Sequence, residues 1–216
     1  MVIEEPRSAR REATRTRVLD AARIVFAEKG VIGATIEDIC DQAGFTRGAV
    51  YSNFADKDEI VREVMEREHQ ALLDHITGSI ELVEAEVASA GSLEAAVGSL
   101  VNRIVRTIPL ERQVTLIATE LEIMAVRRPD LSGSFLAVNN AFRERLAEFL
   151  VAAMARVGRE PVVDPLDIID AVKAIGERSV RRALIEGPDA DPDALSEAVL
   201  PAVILALSRP IEAPGG

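Results

Sequence analysis

The twenty residues from Thr35 to Phe54, TIEDICDQAGFTRGAVYSNF, restrict the possible folds of this chain more than any other stretch. Two short amphipathic segments meet there at Ala43, Gly44 and Phe45. In the first, Ile36, Ile39, Cys40 and Ala43 recur at helical spacing and make one apolar face. Thr35 supplies a hydroxyl for an orphan backbone N–H, and Asp38, three residues on, completes the signature of a capping box. Gly44 ends the segment, because glycine tolerates the left-handed backbone that a helix end often needs.

The second segment starts at Thr46 and has a different first turn. Arg47, Gly48 and Ala49 place no acid against the positive end of the helix, so an anion can be met there instead. Gly48 and Ala49 are small enough for the backbone to approach a phosphate or a base edge. Val50 and Phe54, four apart, face a core and leave Arg47, Tyr51 and Ser52 on the other side. This is the outline of a helix-turn-helix. Spacing alone fits an ordinary helical hairpin with a glycine turn equally well.

From Thr16 to Ile60 the residues TRVLDAARIVFAEKG and then ATIEDICDQAGFTRGAVYSNFADKDEI resemble the N-terminal domain of the TetR family of transcriptional repressors. The resemblance rests on Phe26 and Gly30 closing a first helix, Thr35 opening a second, Ala43-Gly44, the pair Tyr51 and Phe54, and Lys57 at the next helix start. Cys40 departs from the small alanine usual in the family, and Ser52 from a frequent histidine. The resemblance implies contacts with double-stranded DNA. Thr35, Thr46 and Tyr51 are expected to position phosphates, Arg47 to reach a phosphate or guanine edge, and Gly48 and Ala49 to permit close approach. Ser52 lies on the same reading face, and Lys57 is expected to hold the flank.

A net charge of −11 argues against nucleic acid until its distribution is considered. Between Arg7 and Phe54 there are eight bases against six acids, a local +2 that leaves −13 for the remainder. An acidic body repelled by DNA would help to orient a basic head. Hydrophobic residues at 48% and charged residues at 28% describe a globular protein, and aromatics at 3% imply an aliphatic core. A single cysteine excludes an internal disulfide framework and a cysteine-based metal cluster. Cys40 lies on the apolar face of its helix and reads as a core residue, with a redox sensor as the alternative. No apolar signal region opens the chain, and the longest apolar run, Val199 to Leu207, is too short to span a bilayer. The expected location is the cytoplasm, with no membrane partner.

Along the chain, residues 1–11 are expected to be a flexible basic arm and 12–55 a three-helix DNA-binding domain, its first helix covering Glu12 to Lys29. Residues 56–208 are expected to form a helical ligand-binding and dimerisation domain, and 209–216 a flexible tail. A long helix opened by Asp56 and Glu59 carries the stripe Ile60, Val61, Val64, Met65, Leu72, Ile76, Ile80 and Val83. Further helices are expected from Ser92 to Thr107, Leu110 to Arg128, Asp130 to Val157, Leu166 to Glu186 and Asp193 to Ser208, with Pro109, Pro129 and Gly158 as stops and Pro161 and Pro165 marking a loop. Phe135, Phe142 and Phe149 recur every seven residues, with Leu131, Val138, Leu146 and Ala153 alongside, and read as core packing or as the wall of a cavity. The last helix is apolar nearly all round and needs a partner, for which a second copy of itself is the economical candidate. The resemblance implies a homodimer through helices 166–186 and 193–208.

Catalytic motifs are missing. His69 and His75, six apart, fall on different helix faces and read as surface residues, and no Gly-rich phosphate loop or nucleophile elbow occurs. The chain is expected to be no enzyme and to need no cofactor. Polar residues inside apolar stretches, Glu120, Asn139 and Arg178, together with Met124, Phe135 and Phe142, are candidates for a small-molecule effector site. Each polar one reads equally as a buried residue bonded to a neighbouring helix. The sequence thus leads to an all-α, homodimeric transcriptional repressor in which a helix-turn-helix head is joined by a long helix to an effector-binding body. The alternative is a ligand-binding or scaffold protein with a vestigial head.

Overall fold

Helix-forming residues with apolar positions three and four apart dominate the chain, and the computed structural model, which describes residues 7–81, 92–107, 112–127 and 133–211, is built almost wholly from helices. These are α1 (Arg7–Lys29), α2 (Ile36–Ala43), α3 (Arg47–Tyr51), α4 (Lys57–Glu81), α5 (Leu93–Thr107), α6 (Arg112–Arg127), α7 (Gly133–Arg156), α8 (Pro165–Glu186) and α9 (Ala194–Ala206). The expected Val83, Pro109, Leu110, Arg128, Pro129, Asp130 and Leu131 and residues 212–216 of the tail lie outside the described residues. Among the described residues no helix is long and apolar enough to cross a membrane.

Two expectations are corrected at the ends of elements. Helix α1 begins at Arg7, so residues 7–11 are helical and do not belong to an irregular arm. Alanine and arginine are good helix formers, and no glycine or proline interrupts the run RSARRE. The loop after Gly158 contains a strand, β1 (Arg159–Pro161), which pairs antiparallel with β2 (Ser208–Pro210), a segment expected to end a helix and begin a tail. Buried Arg159 holds the pair, its Nε donating to the Ser208 hydroxyl at 2.7 Å and its Nη2 to the Leu205 carbonyl at 3.0 Å. Three residues per strand carry no legible alternation, which is why periodicity missed them.

The chain forms two compact units. The first comprises residues 1–68 and 111–138, and the second 69–110 and 139–216. The first unit therefore extends past the expected boundary at residue 55 and includes α6. Its core joins Val18, Ala22 and Phe26 of α1, Ile39 and Cys40 of α2, Val50 of α3 with Phe54 just beyond it, Ile60 and Val64 of α4, and Ile117 and Leu121 of α6. Phe26, Ile117 and Leu121 are at most 1% exposed.

In the second unit, Leu73 and Ile76 pack with Phe142, Leu146 and Ile169, and Val97, Met154, Ile168 and Ile204 make a further cluster. Arg143 of α7 donates to Asp170 of α8 at 2.6 Å, and Arg106 of α5 pairs with Glu197 of α9. Of the phenylalanine stripe, Phe135 lies against the core of the first unit, and Phe142 and Phe149 belong to a cluster of the second.

Candidate nucleic-acid interface

The caps expected from sequence form as read. Thr35 accepts from the Asp38 N–H at 3.1 Å while Asp38 accepts from the Thr35 N–H at 3.0 Å, a complete capping box. Hydrogen bonds from Lys29 and then from Thr35 hold the Asp38 carboxyl at about 2, well below its ordinary value. Gly44 closes α2 in the left-handed region, at φ 70°. Thr46 begins α3 by accepting from the Ala49 N–H at 3.3 Å.

Helix α3 is thereby aimed outward. Val50 is fully buried beneath it and Phe54 nearly so, while Thr46, Arg47, Gly48, Tyr51 and Ser52 are exposed and Ala49 is half-buried. Thr35 is exposed as well. Among the described residues a Cβ added at Gly48 would meet nothing within 4 Å, so their packing does not call for this glycine, and the backbone there is open to approach. Arg47 forms an ion pair with Glu37 and lies 5.7 Å from the centre of the Tyr51 ring. The Tyr51 hydrogen bond, followed by Glu37, raises the pKa of this guanidinium. Ser52 donates its hydroxyl to the Ala49 carbonyl at 2.9 Å and accepts from Asn53 Nδ2 at 3.2 Å, which leaves its oxygen one further lone pair.

Two arginines that sequence reasoning had counted only as charge hold this motif in place. Arg17 donates to the Ala43 carbonyl at 3.0 Å and lies over the Phe45 ring at 4.5 Å, satisfying the end of α2. Arg15 donates to the Asn53 carbonyl and to Glu63, with its guanidinium 4.4 Å over the Phe54 ring. Arg23 and Lys29 are likewise paired, with Glu68 and Asp38. Of the seven bases of the head whose side chains are described, five thus have intramolecular partners, and Arg10 and Arg11 are exposed on α1.

Lys57 differs most from expectation. Its ammonium donates to the carbonyls of Val31 at 2.9 Å and Ala34 at 3.0 Å, so it is directed at the loop before α2 and not at an exposed flank. The reason is geometric: the first turn of α4 lies beside the end of that loop, whose carbonyls are unpaired by any helix.

The six candidate effector residues divide between the units. Glu120, Met124 and Phe135 belong to the first, where Met124 and Phe135 pack on the core and Glu120 accepts from backbone N–H groups of the α1–α2 loop. Asn139, Phe142 and Arg178 belong to the second. Arg178 is exposed, on the stripe Asp170, Ala174, Arg178 and Arg182 of α8. Asn139 accepts from Lys173 at 3.1 Å, and Lys173 lies 5.6 Å from the centre of the Phe142 ring. His69, expected at the surface, instead stacks on Phe142 with ring centroids 4.0 Å apart.

Comparison with known proteins agrees with this arrangement. Residues 18–64 match the family model of bacterial regulatory proteins, tetR family. The transcriptional regulator SrpR of Pseudomonas putida is 46% identical over 68 residues, 31% of this chain and 32% of that protein. The transcriptional repressor KstR2 of Rhodococcus jostii is 37% identical over 84 residues, 38% of this chain and 39% of its own. The sequence matches thus span about a third of these curated relatives. The fold extends further: the fatty acid degradation regulator FadR of Bacillus halodurans superposes with a TM-score of 0.66 over 88% of this chain and 94% of its own, at 18% identity.

Proposed function

By its residues 18–64 the chain belongs to the tetR family of bacterial regulatory proteins, and from that premise we propose that it is a homodimeric, DNA-binding transcriptional repressor of the cytoplasm. The observation that carries this reading is the outward polar face of α3, closed by caps at both ends and with none of the described residues packed over Gly48. Each protomer lays α3 in a major groove. Thr35, Thr46 and Tyr51 bear on phosphates, Arg47 leaves Glu37 for a phosphate or guanine edge, Gly48 and Ala49 admit the backbone, and Ser52 offers an acceptor. Lys57 acts from behind by holding the loop before α2.

Two-fold symmetry calls for a near-palindromic operator with half-sites roughly 34–36 Å apart or a multiple of one turn. The dimer forms through α8 and α9. Supporting this, Ala194, Ala198, Ala202 and Ala206 make an exposed ridge of small side chains on α9 between the half-buried Leu195, Val199 and Val203. A small apolar effector binds the body beside Phe142 and Asn139 and releases the operator, provided that it binds the two conformations with different affinity.

The reading is tested by selecting bound duplexes from random DNA and measuring gel shifts with Arg47→Ala and Tyr51→Ala. Each variant should bind at least about tenfold more weakly, the scale of a lost charge-assisted contact. Binding as tight as wild type by both would reject the assigned surface, and no salt-dependent binding by wild type would leave the vestigial-head alternative.

A further inference from the structure

Glu120, a candidate effector residue that read equally as one bonded to a neighbouring element, takes the second role: its carboxylate closes a backbone site inside the first unit. After α1 the chain turns at Gly30, which has φ 78°, and the next two N–H groups point the same way. Such successive N–H groups form a concavity that attracts an anion. Here the anion belongs to the protein: Glu120 accepts from the Val31 N–H at 2.7 Å and from the Ile32 N–H at 3.2 Å. A Cβ at Gly30 would lie 2.8 Å from both Glu120 oxygens and would push the carboxylate aside, while the backbone angle itself favours glycine.

Lys57 completes the arrangement from the opposite side. The Val31 carbonyl and the Ile32 N–H belong to one peptide plane. Its oxygen receives the Lys57 ammonium and its N–H the Glu120 carboxylate. The peptide dipole thus lies between a cation and an anion in the orientation both favour. Lys57 also holds the Ala34 carbonyl, the last before the Thr35 cap of α2. Helix α6, which carries the carboxylate, is itself anchored, because its Ile117 and Leu121 are buried in the same core as α1 and α2.

We infer that Glu120 is a positioning residue for DNA binding, which sets the start of α2, and through the short Gly44 turn α3, by clamping the Val31–Ile32 peptide against Lys57. The inference rests on the DNA-binding reading and adds to it that α6 is part of the reading head. An element of the chain far from the helix-turn-helix in sequence thereby governs how α3 is presented.

The test uses the full chain with Glu120→Gln, which keeps one acceptor and turns an amide toward the other N–H, and Glu120→Ala. Amide hydrogen exchange over residues 30–36, thermal melting and operator affinity across a salt series are measured on each. Exchange at Val31 and Ile32 should quicken and operator affinity should fall about tenfold in Glu120→Ala, less in Glu120→Gln, as charge-assisted hydrogen bonds are lost. The salt slope should match wild type because no phosphate contact has gone, whereas Arg47→Ala should flatten it by about 1. Wild-type affinity in a folded Glu120→Ala protein, or unchanged exchange at the two amides, would overturn the inference while leaving the DNA-binding reading intact. Failure of wild type to bind any duplex would overturn both, and the exchange data would still show whether the clamp exists.

Discussion

The imidazole of His69 lies flat on Phe142, and burial, followed by the charge of Lys173, lowers its pKa to about 4. Since the unfolded chain takes up this proton near 6.5 and the folded one only near 4, the unfolded state binds more protons between those values and stability falls as pH is lowered through that window. From pH 7 to pH 5 the loss from this residue should be about 2 kcal/mol. Urea unfolding of wild type and His69→Phe at both pH values checks this: the variant should lose less stability by that amount, and equal losses would mean that the histidine titrates normally. Cys40 is a second residue whose surroundings decide its behaviour. It is 5% exposed, and burial, followed by Glu37, pushes its thiol pKa upward. Because the thiolate is the reactive form, alkylation of the native protein should be slow and mild peroxide should leave operator binding unchanged. Rapid modification in the folded state would favour the redox alternative.

Among the elements, α2 and α6 make separable contributions. The capping box at Thr35 is a local device, and Thr35→Ala should cost about 1 kcal/mol in chemical unfolding. Helix α6 acts through burial. Leu121 is fully buried in the core shared with α1 and α2, so Leu121→Ala should cost about 2–5 kcal/mol, a loss larger than that of the cap. If Leu121→Ala were nearly neutral, α6 would not be part of the core of the first unit. That the two short helices meet at Gly44 was legible, because caps and apolar spacing are set by neighbours within one turn. That Arg15 and Arg17 close the ends of α3 and α2 was not. A basic side chain in sequence reads as surface charge, and nothing local names a carbonyl 26 or 38 residues away as its partner.

For the molecule as a whole, the exposed alanine ridge of α9 is where assembly should be decided. Ala202→Arg places a long charged side chain on that ridge and should shift the protein from two-chain to one-chain sedimentation at micromolar concentration. Operator affinity should fall with it, since a single head loses the second half-site and the effective concentration that linkage provides. An unchanged two-chain species would assign dimerisation to another surface. The charge of −11 is uneven along the chain, and five of the seven described bases in the head are paired within the protein, so under the DNA-binding proposal shape and a few exposed arginines weigh more than bulk charge.

The sequence by itself determined the all-α class, the helix-turn-helix, its caps and outward residues, and the approximate placement of most of the described helices. Each of these depends on periodicity and hydrogen bonds between residues a few positions apart. Only the tertiary structure decided that α1 extends back to Arg7, that two three-residue strands pair across some fifty positions, that His69 is stacked and not exposed, and that Lys57 and Glu120 face each other across one peptide. These last depend on which charges and rings meet across long sequence separations, 89 positions in the case of Val31 and Glu120. A side chain's type states what it can bond, and only the fold states what lies within reach.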